Sequence, residues 1–263
     1  MTILDEIIRN KWEEVRAARQ QTPVEALKSR TDDIRDFHGA LSSDGISVIA
    51  EIKKKSPSKG EIQMSADPVD IAKSYEQNGA AAISVLTDSH YFGGSLEFLQ
   101  QIRDQVNIPI LRKDFIIDEY QVWESYHAGA DAILIILDAV VTETAIRLHG
   151  VARELGLHVL VESYTEESLG NAHRLKPDIV GINARDLTSM TLDLDAMIEK
   201  SQSLPQRIIT VAESGITEPA HLGKVAEAGF DAALIGTAFM QTDNPGETLS
   251  EYLEFVRSGE VKA

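Results

Sequence analysis

The sequence predicts an α/β protein, a (β/α)8 or TIM barrel with an N-terminal helical extension. The first observation behind this prediction is a repeat. The segments NGAAAISVL, AGADAILII and AGFDAALIG place Gly79, Gly129 and Gly229 at intervals of 50 and 100 residues. The second is that eight short apolar runs alternate with helix signals, which is typical of a parallel sheet covered by helices. Eight such units in about 190 residues fit a closed barrel better than an open sheet.

Each copy of the repeat joins the end of a helix to an apolar strand. Glycine adopts the left-handed conformation that ends many helices, so the three glycines predict helix ends. A fourth copy is expected 50 residues after Gly129, in LKPDIVGIN, where Pro177 and Asp178 replace the glycine. The alternate strands are SVIAEIK from Ser47, IPILRK from Ile108, LHVLVE from Leu157 and RIITVAE from Arg207.

Helix starts between the strands carry recognisable signals. They are Asp67 with Pro68, Asp118 with Gln121 in a capping box, and Thr217 with Pro219. Residues 1–46 precede the first strand and have apolar side chains at positions 3, 4, 7, 8, 12 and 15, which is helical spacing. We expect this extension to cover the bottom or the rim of the barrel rather than to take part in catalysis, and residues 1–263 to form one domain.

Composition excludes several classes of function. The chain has 42 acidic and 25 basic residues, and its net charge of -17 disfavours nucleic-acid and anionic membrane partners. The absence of cysteine excludes disulfides, thiolate metal sites and cysteine nucleophiles. The N-terminus is acidic, and no apolar run approaches the roughly 20 residues that span a bilayer. We therefore expect a cytoplasmic protein that is a monomer or a weak homodimer.

Polar residues interrupt the apolar runs at five strand ends. In a barrel of this kind the reactive groups stand at the C-terminal ends of the strands. A purely structural ion-pair network would explain one or two of these groups. Buried charges are costly unless paired, however, and six polar residues are more than closure of the barrel requires. The sequence therefore predicts an active site at this rim. Its six residues are Glu51 and Lys53 on strand 1, Lys113 on strand 3, Glu162 on strand 5, Asn183 on strand 6 and Glu213 on strand 7.

Small residues after the last strands predict a phosphate site. Ser214 with Gly215 follows strand 7, and Gly236 with Thr237 follows strand 8, where backbone N–H groups can approach an anion. A lysine-rich segment, KKKSPSKG, follows strand 1. We expect Lys53 and Lys55 to face an anionic ligand and Lys54 and Lys59 to be solvated. The seven histidines show no metal-ligand spacing. A phosphate ester is the predicted substrate.

Seven strings in the expected order carry a resemblance to a known family. They are VIAEIKKKSPSKG, YFGGS, PILRKDFIIDEYQ, LVESYTEESL, GINARDL, VAESGI and LIGTAFM. From about residue 3 to 255 the chain resembles indole-3-glycerol-phosphate synthase. The resemblance implies a carboxy-lyase of tryptophan biosynthesis that needs no metal or organic cofactor. Its reaction converts 1-(2-carboxyphenylamino)-1-deoxyribulose 5-phosphate to indole-3-glycerol phosphate, carbon dioxide and water.

The resemblance also implies roles for the catalytic residues. Lys113 is the general acid that protonates the ketose carbonyl, and Glu162 is its acid/base partner in the later dehydration. Glu51 and Lys53 position and tune these groups, and Lys53 lies near the substrate carboxylate.

The remaining site residues are implied to hold the substrate. Asn183 and Glu213 hold the sugar hydroxyls and orient the lysines. The phosphate is held by Ser214, which also belongs to the catalytic set, with Gly215, Gly236, Thr237 and Lys55. The anthranilate end faces Ser56 and Arg185, and its ring faces Phe92, Phe115 and Leu187.

Three other functions remain open. Two are phosphosugar enzymes, namely an Amadori isomerase, whose cysteine this chain lacks, and a Schiff-base aldolase that would use Lys113. The third is a barrel that binds a phosphorylated ligand without turnover. Borohydride trapping of an imine at Lys113 would identify the aldolase.

Overall fold

Eight parallel strands form a closed barrel in the computed structural model, which describes residues 2–57, 59–186 and 189–259. The strands are β1 (Ser47–Ile52), β2 (Ala82–Leu86), β3 (Ile110–Lys113), β4 (Ala132–Ile136), β5 (His158–Ser163), β6 (Ile179–Asn183), β7 (Ile209–Glu213) and β8 (Ala232–Ile235). Each strand pairs with the next along the chain, and β8 pairs with β1 to close the ring. The predicted fold and its eight strands are confirmed.

Helices surround this barrel and extend it at the N-terminus. They are α1 (Ile3–Gln21), α2 (Phe37–Ala40), α3 (Pro68–Gln77), α4 (Ser89–Phe92), α5 (Leu96–Arg103), α6 (Glu119–His127), α7 (Thr142–Glu154), α8 (Glu166–Ala172), α9 (Leu194–Ser201), α10 (Pro219–Glu227), α11 (Thr237–Met240) and α12 (Pro245–Ser258). Single 3-10 turns occupy Val24–Lys28 and His173–Leu175. Within the described ranges, no helix is both long and apolar enough to cross a membrane.

Two of the three predicted helix starts are found as expected. Asp67 accepts a hydrogen bond from the N–H of Val69 at the start of α3, and Asp118 forms the capping box of α6. Helix α10 differs, because Glu218 occupies the cap position without a side-chain bond. The Thr217 hydroxyl instead contacts Nδ1 of His221 at 3.2 Å.

The four copies of the repeat share one left-handed residue three positions before the strand. Gly79, Gly129 and Gly229 have φ angles of 93°, 89° and 89°. In the fourth copy this position is Lys176, with φ 50°, rather than Pro177 or Asp178. The strand β6 therefore begins three residues earlier than an unbroken 50-residue repeat predicts.

The extension covers both ends of the barrel. The buried side chains Phe37 and Leu41 of its second half pack against Ile49 and Leu111 from inside the barrel. The ring of Phe37 lies 6.4 Å from that of His158, the first residue of β5, so this half closes the bottom. Helix α1 instead lies across the opposite end. The expected cover is thus found, and it includes the rim where the strands end.

A buried charge cluster ties the extension to the bottom of the barrel. Asp131, which precedes β4, is fully buried and accepts hydrogen bonds from the backbone N–H groups of Arg35 and Ile110 at 2.8 and 2.9 Å. The guanidinium of Arg103 donates to both oxygens of the same carboxylate, at 2.7 and 2.6 Å. Because these partners come from distant segments, Asp131 fixes the extension, β3 and β4 together.

Candidate active site

The six polar residues from five strand ends line one cavity of about 260 Å³ at the C-terminal end of the barrel. They lie together because parallel strands all end at the same rim and alternate residues face inward. The residues that the structure brings together are Glu51, Lys53, Lys113, Glu162, Asn183 and Glu213.

Lys113 lies between two buried carboxyl groups at the base of the cavity. Its Nζ is 2.8 Å from Oε2 of Glu162 and 3.2 Å from Oε2 of Glu213. The second oxygen of Glu162 accepts a hydrogen bond of 2.8 Å from Nδ2 of Asn183. The Asn183 amide oxygen in turn accepts from the backbone N–H of Arg185 at 2.9 Å, which orients the amide.

The three ionisable groups of this cluster have different protonation states near neutral pH. Burial opposes the charge on Lys113, but the carboxylates of Glu162, Glu213 and Glu51 outweigh it and raise the pKa of its ammonium. Burial and the neighbouring charge of Glu162 raise the pKa of Glu213 to about 8. The pKa of Glu162 is lowered, because Lys113 and its hydrogen bonds overcome the effect of burial. The cluster therefore holds an ammonium, a carboxylate and a neutral carboxylic acid.

A second ion pair faces this cluster from β1. Nζ of Lys53 is 2.6 Å from Oε1 of Glu51, and both side chains are largely buried. The predicted pairing of these two residues on one face is confirmed. The Lys113 cluster and this pair together give the base of the cavity two cations and three carboxyl groups.

One end of the cavity suits an anion. Ser214 and Gly215 both have left-handed backbones, with φ angles of 65° and 78°, and Thr237 begins α11 after Gly236. Among the described residues, the backbone N–H groups of Gly215 and Thr237 donate to no protein acceptor. Free N–H groups that face a cavity are suited to bind phosphate oxygens. All four residues line the cavity.

The lysine-rich segment is arranged differently from the expectation. Lys55 lies outside the cavity lining, and its ammonium donates to the carbonyl of His90. A short hairpin, Lys55–Ser56 with Gly60–Glu61, turns the segment, so that Ser56 and Lys59 line the cavity. Lys54 instead lies 4.7 Å from the centre of the Phe98 ring. Lys59 is exposed, as expected, and it also lines the cavity.

An aromatic pair forms another part of the wall. The rings of Phe92 and Phe115 lie 6.2 Å apart at an angle of 36°, and both line the cavity. Arg185 lines it as well, and its guanidinium donates to the carbonyl of Met190 at 3.2 Å. Leu187, predicted to face the substrate ring, lies outside the described residues.

Sequence reasoning missed the part of the cavity that α1 forms. Ile3, Leu4 and Ile7 line it, and their helical spacing was interpreted only as a covering face. Lys11 on the same face is 2% exposed, and its Nζ lies 2.8 Å from Oδ2 of Asp88 and 2.9 Å from Oδ1 of Asp114. A lysine four residues after Ile7 on an apolar face was the signal that this side chain has buried partners.

Comparisons with known proteins agree with this geometry. A family model described as "Indole-3-glycerol phosphate synthase" matches residues 4–252. A protein of that name from Bacteroides thetaiotaomicron is 42% identical, covering 97% of this chain and 99% of its own length. One from Burkholderia multivorans is 44% identical, covering 94% and 97%.

Solved structures show the same fold at low identity. The 3-hexulose-6-phosphate synthase of Salmonella typhimurium has a TM-score of 0.65 at 13% identity, covering 81% of this chain and 99% of its own. KGPDC from Streptococcus mutans has a TM-score of 0.62 at 11% identity, covering 82% and 99%. Such identities speak to the barrel alone, whereas the family match spans nearly the whole sequence. The chain therefore belongs to the indole-3-glycerol phosphate synthase family.

Proposed function

We propose that this chain carries out the reaction of its family, the conversion of 1-(2-carboxyphenylamino)-1-deoxyribulose 5-phosphate to indole-3-glycerol phosphate, carbon dioxide and water. The observation that carries the proposal is the Lys113 ammonium held between Glu162 and Glu213 at the base of the cavity. This group is a proton donor flanked by a base, which is what ring closure and dehydration both require.

Lys113 acts first, in ring closure. The ketose carbonyl is a weak electrophile, and a proton or hydrogen bond from an ammonium strengthens it while the aromatic carbon that bears the carboxylate attacks. The raised pKa of Lys113 keeps this donor charged until the carbonyl oxygen becomes more basic during attack. The Glu162 carboxylate, 2.8 Å from Nζ, holds the ammonium in place before the step.

Decarboxylation and dehydration follow. The cationic ring left by attack is stabilised by nearby carboxylates, and loss of carbon dioxide restores aromaticity. Dehydration then requires one group to protonate the leaving hydroxyl and another to remove a proton. Glu162 serves as the acid/base partner of Lys113 in this step, with Asn183 fixing its orientation through the 2.8 Å hydrogen bond. Glu51 and Lys53 position these groups from the opposite wall.

Substrate binding at two ends assists the chemistry. We place the phosphate at the backbone N–H groups near Gly215 and Thr237, and the anthranilate ring at Phe92 and Phe115. Contacts at both ends bend a flexible chain into the geometry that ring closure requires, so distant binding energy lowers the barrier of the chemical step.

The Schiff-base alternative fits the cavity less well. Imine formation begins with a neutral amine, and the raised pKa of Lys113 keeps its amine protonated. Borohydride treatment with substrate should therefore leave Lys113 unmodified, and a stable adduct at that residue would favour the aldolase.

The test is fluorescence-monitored formation of the indole product by the purified protein. The Lys113→Met variant should lose on the order of 10²-fold to 10⁴-fold in kcat, the usual size of a general-acid contribution. The matched control is Lys224→Met, since Lys224 is an exposed surface residue paired with Asp195. Near-normal turnover by the Lys113 variant, or an equal loss in the control, would contradict the proposed role.

We further propose that the enzyme works in the cytoplasm as a monomer or weak homodimer, on a small phosphorylated substrate and without metal or organic cofactor. The steps above need only proton transfer and binding of charge. The net charge of -17 argues against nucleic acid or an anionic membrane as a partner.

A further inference from the structure

Two carboxyl groups of the cavity lie directly against glycines of the neighbouring strand. A Cβ atom built on Gly181 would lie less than 3.0 Å from Oε1 of Glu213 and 3.1 Å from its Cδ. A Cβ built on Gly236, after β8, would likewise lie less than 3.0 Å from Oε1 and Cβ of Glu51 on β1. Each carboxyl group thus occupies the space where a side chain on the preceding strand would stand.

The strand register explains why this space matters at Gly181. Gly181 on β6 lies opposite Glu162 on β5, while Asn183, two residues on, lies opposite Glu213 on β7. Alternation makes residues 181 and 183 face the barrel interior together. The missing side chain at Gly181 therefore leaves an interior space between the strands that carry the two glutamates.

Backbone conformation does not require glycine here. Gly181 is not among the residues with positive φ, and it lies within a regular parallel strand, where alanine is also allowed. The Glu213 carboxyl group excludes a larger residue at this position. The next atom, Cδ1 of Leu160, lies 3.3 Å from the Cβ built on Gly181. The Oε1 atom that fills this space is buried and has no hydrogen-bond partner among the described residues.

We propose that Gly181 is a positioning residue, whose missing side chain admits the Glu213 carboxyl group into the barrel interior and so holds it beside Lys113 and Glu162. This inference rests on the proposed function. Burial of Oε1 in this interior position, together with the charge of Glu162, also raises the pKa of Glu213.

A single methyl group should undo this arrangement. Nonbonded atoms rest about 3.5 Å apart, so the oxygen would have to move by more than about 1 Å. The open direction is toward the cavity, where the carboxyl group would be more hydrated. A misplacement of about 1 Å in an active site can cost on the order of 10²-fold in rate.

The first experiment is a double-mutant cycle of Gly181→Ala and Glu213→Ala, measured by kcat. Circular dichroism checks that each variant folds. Gly181→Ala should lower kcat by about 10-fold to 100-fold. Glu213→Ala removes the two atoms that meet the new methyl group first, so adding Gly181→Ala to that variant should change kcat less than about threefold. The control is Gly150→Ala on α7, where an added Cβ meets no atom within 4 Å. Equal losses from Gly181→Ala in both backgrounds would overturn the proposal.

The second experiment needs no substrate. The infrared band of a protonated carboxyl group, assigned by its loss in Glu213→Gln, should titrate near pH 8 in the wild-type protein and at lower pH in Gly181→Ala. An unchanged titration in Gly181→Ala would overturn the role of the glycine even if the proposed reaction failed in the wild type. Should Gly181→Ala not fold, the Gly181→Ala/Glu213→Ala double variant must fold, and its failure would also overturn the proposal.

Discussion

Replacing Lys11 with methionine should destabilise the protein and loosen α1 over the cavity. The Lys11 ammonium is buried, and it contacts the buried carboxylates of Asp88 and Asp114 at 2.8 and 2.9 Å. Burial opposes its charge, but these two carboxylates and Glu14 raise its pKa, so it is charged over the physiological range. Methionine matches its length and removes only the charge and the hydrogen bonds.

The expected loss of stability depends on the partners that the Asp88 and Asp114 carboxylates keep when Lys11 is replaced. Asp114 keeps the Arg112 guanidinium at 3.1 Å and the Thr87 hydroxyl at 2.6 Å. Among the described residues, Oδ2 of Asp88 has no partner other than the Lys11 ammonium at 2.8 Å, so replacing Lys11 leaves this buried oxygen uncompensated. Breaking one side of a buried pair costs about 3–5 kcal/mol, and we expect the lower end, about 3 kcal/mol, because Asp114 stays paired.

Urea unfolding at pH 7 measures this loss. Arg16→Met, at an exposed position of the same helix, should change the free energy of unfolding by less than about 0.5 kcal/mol. A loss below about 1 kcal/mol in Lys11→Met would contradict the stabilising role of the buried Lys11 ion pairs. Because Ile3, Leu4 and Ile7 line the cavity, KM should rise more than kcat falls.

The pH dependence of the free energy of unfolding tests the Lys11–Asp114 pair independently. Burial opposes the charge on Asp114, but Lys11 and Arg112 lower its pKa below the usual value. Such a carboxyl group stabilises the fold above its unfolded pKa, near 3.9, and that contribution is lost as the pH falls through the folded value. The deficit of Lys11→Met relative to wild type should therefore shrink below about pH 4. A deficit that stays constant down to pH 3 would contradict the assignment.

Two further outcomes are expected. Glu162→Gln should accumulate a ring-closed or decarboxylated species before dehydration, and rapid-quench analysis that shows only substrate and product would count against this role. Asp131→Asn should lower the free energy of unfolding by about 3 kcal/mol, because it removes the fully buried carboxylate that Arg103 contacts and leaves this guanidinium only the partly exposed carboxylate of Asp32. Asp195→Asn, which breaks only the exposed pair with Lys224, should stay within about 1 kcal/mol of wild type, and equal losses in the two variants would remove the reason given for Asp131.

The fold and the rim residues could be predicted because their signals are local. A glycine three positions before an apolar run, repeated along the chain, reports helix ends and strand starts without knowledge of distant contacts. Alternation along β1 placed Glu51 and Lys53 on one face, and they form a 2.6 Å pair. In the fourth copy the strand lies in the segment where it was expected, but the left-handed residue is Lys176 rather than Pro177 or Asp178, because lysine carries no turn signal in the sequence.

Predictions about loops and about α1 depended on contacts that the sequence does not encode locally. Lys55 and Lys59 carry the same charge four residues apart, and only the hairpin decides that Lys59 lines the cavity while Lys55 contacts His90. The apolar face of α1 shows that it covers something. Its place at the catalytic end follows from the pairing of Lys11 with Asp88 and Asp114, which are 77 and 103 positions away in the chain.

The barrel, its helical extension and the six polar side chains at one rim were predictable from the sequence, because periodicity and alternation depend on neighbouring residues. The protonation states of those side chains were not predictable in this way. The neutral state of Glu213, the charged state of Lys113 and the space left by Gly181 depend on burial and on separations of a few ångströms between strands. Electrostatic and steric effects of that kind act through space between residues that are distant in the chain. They can therefore be assigned only from the folded barrel.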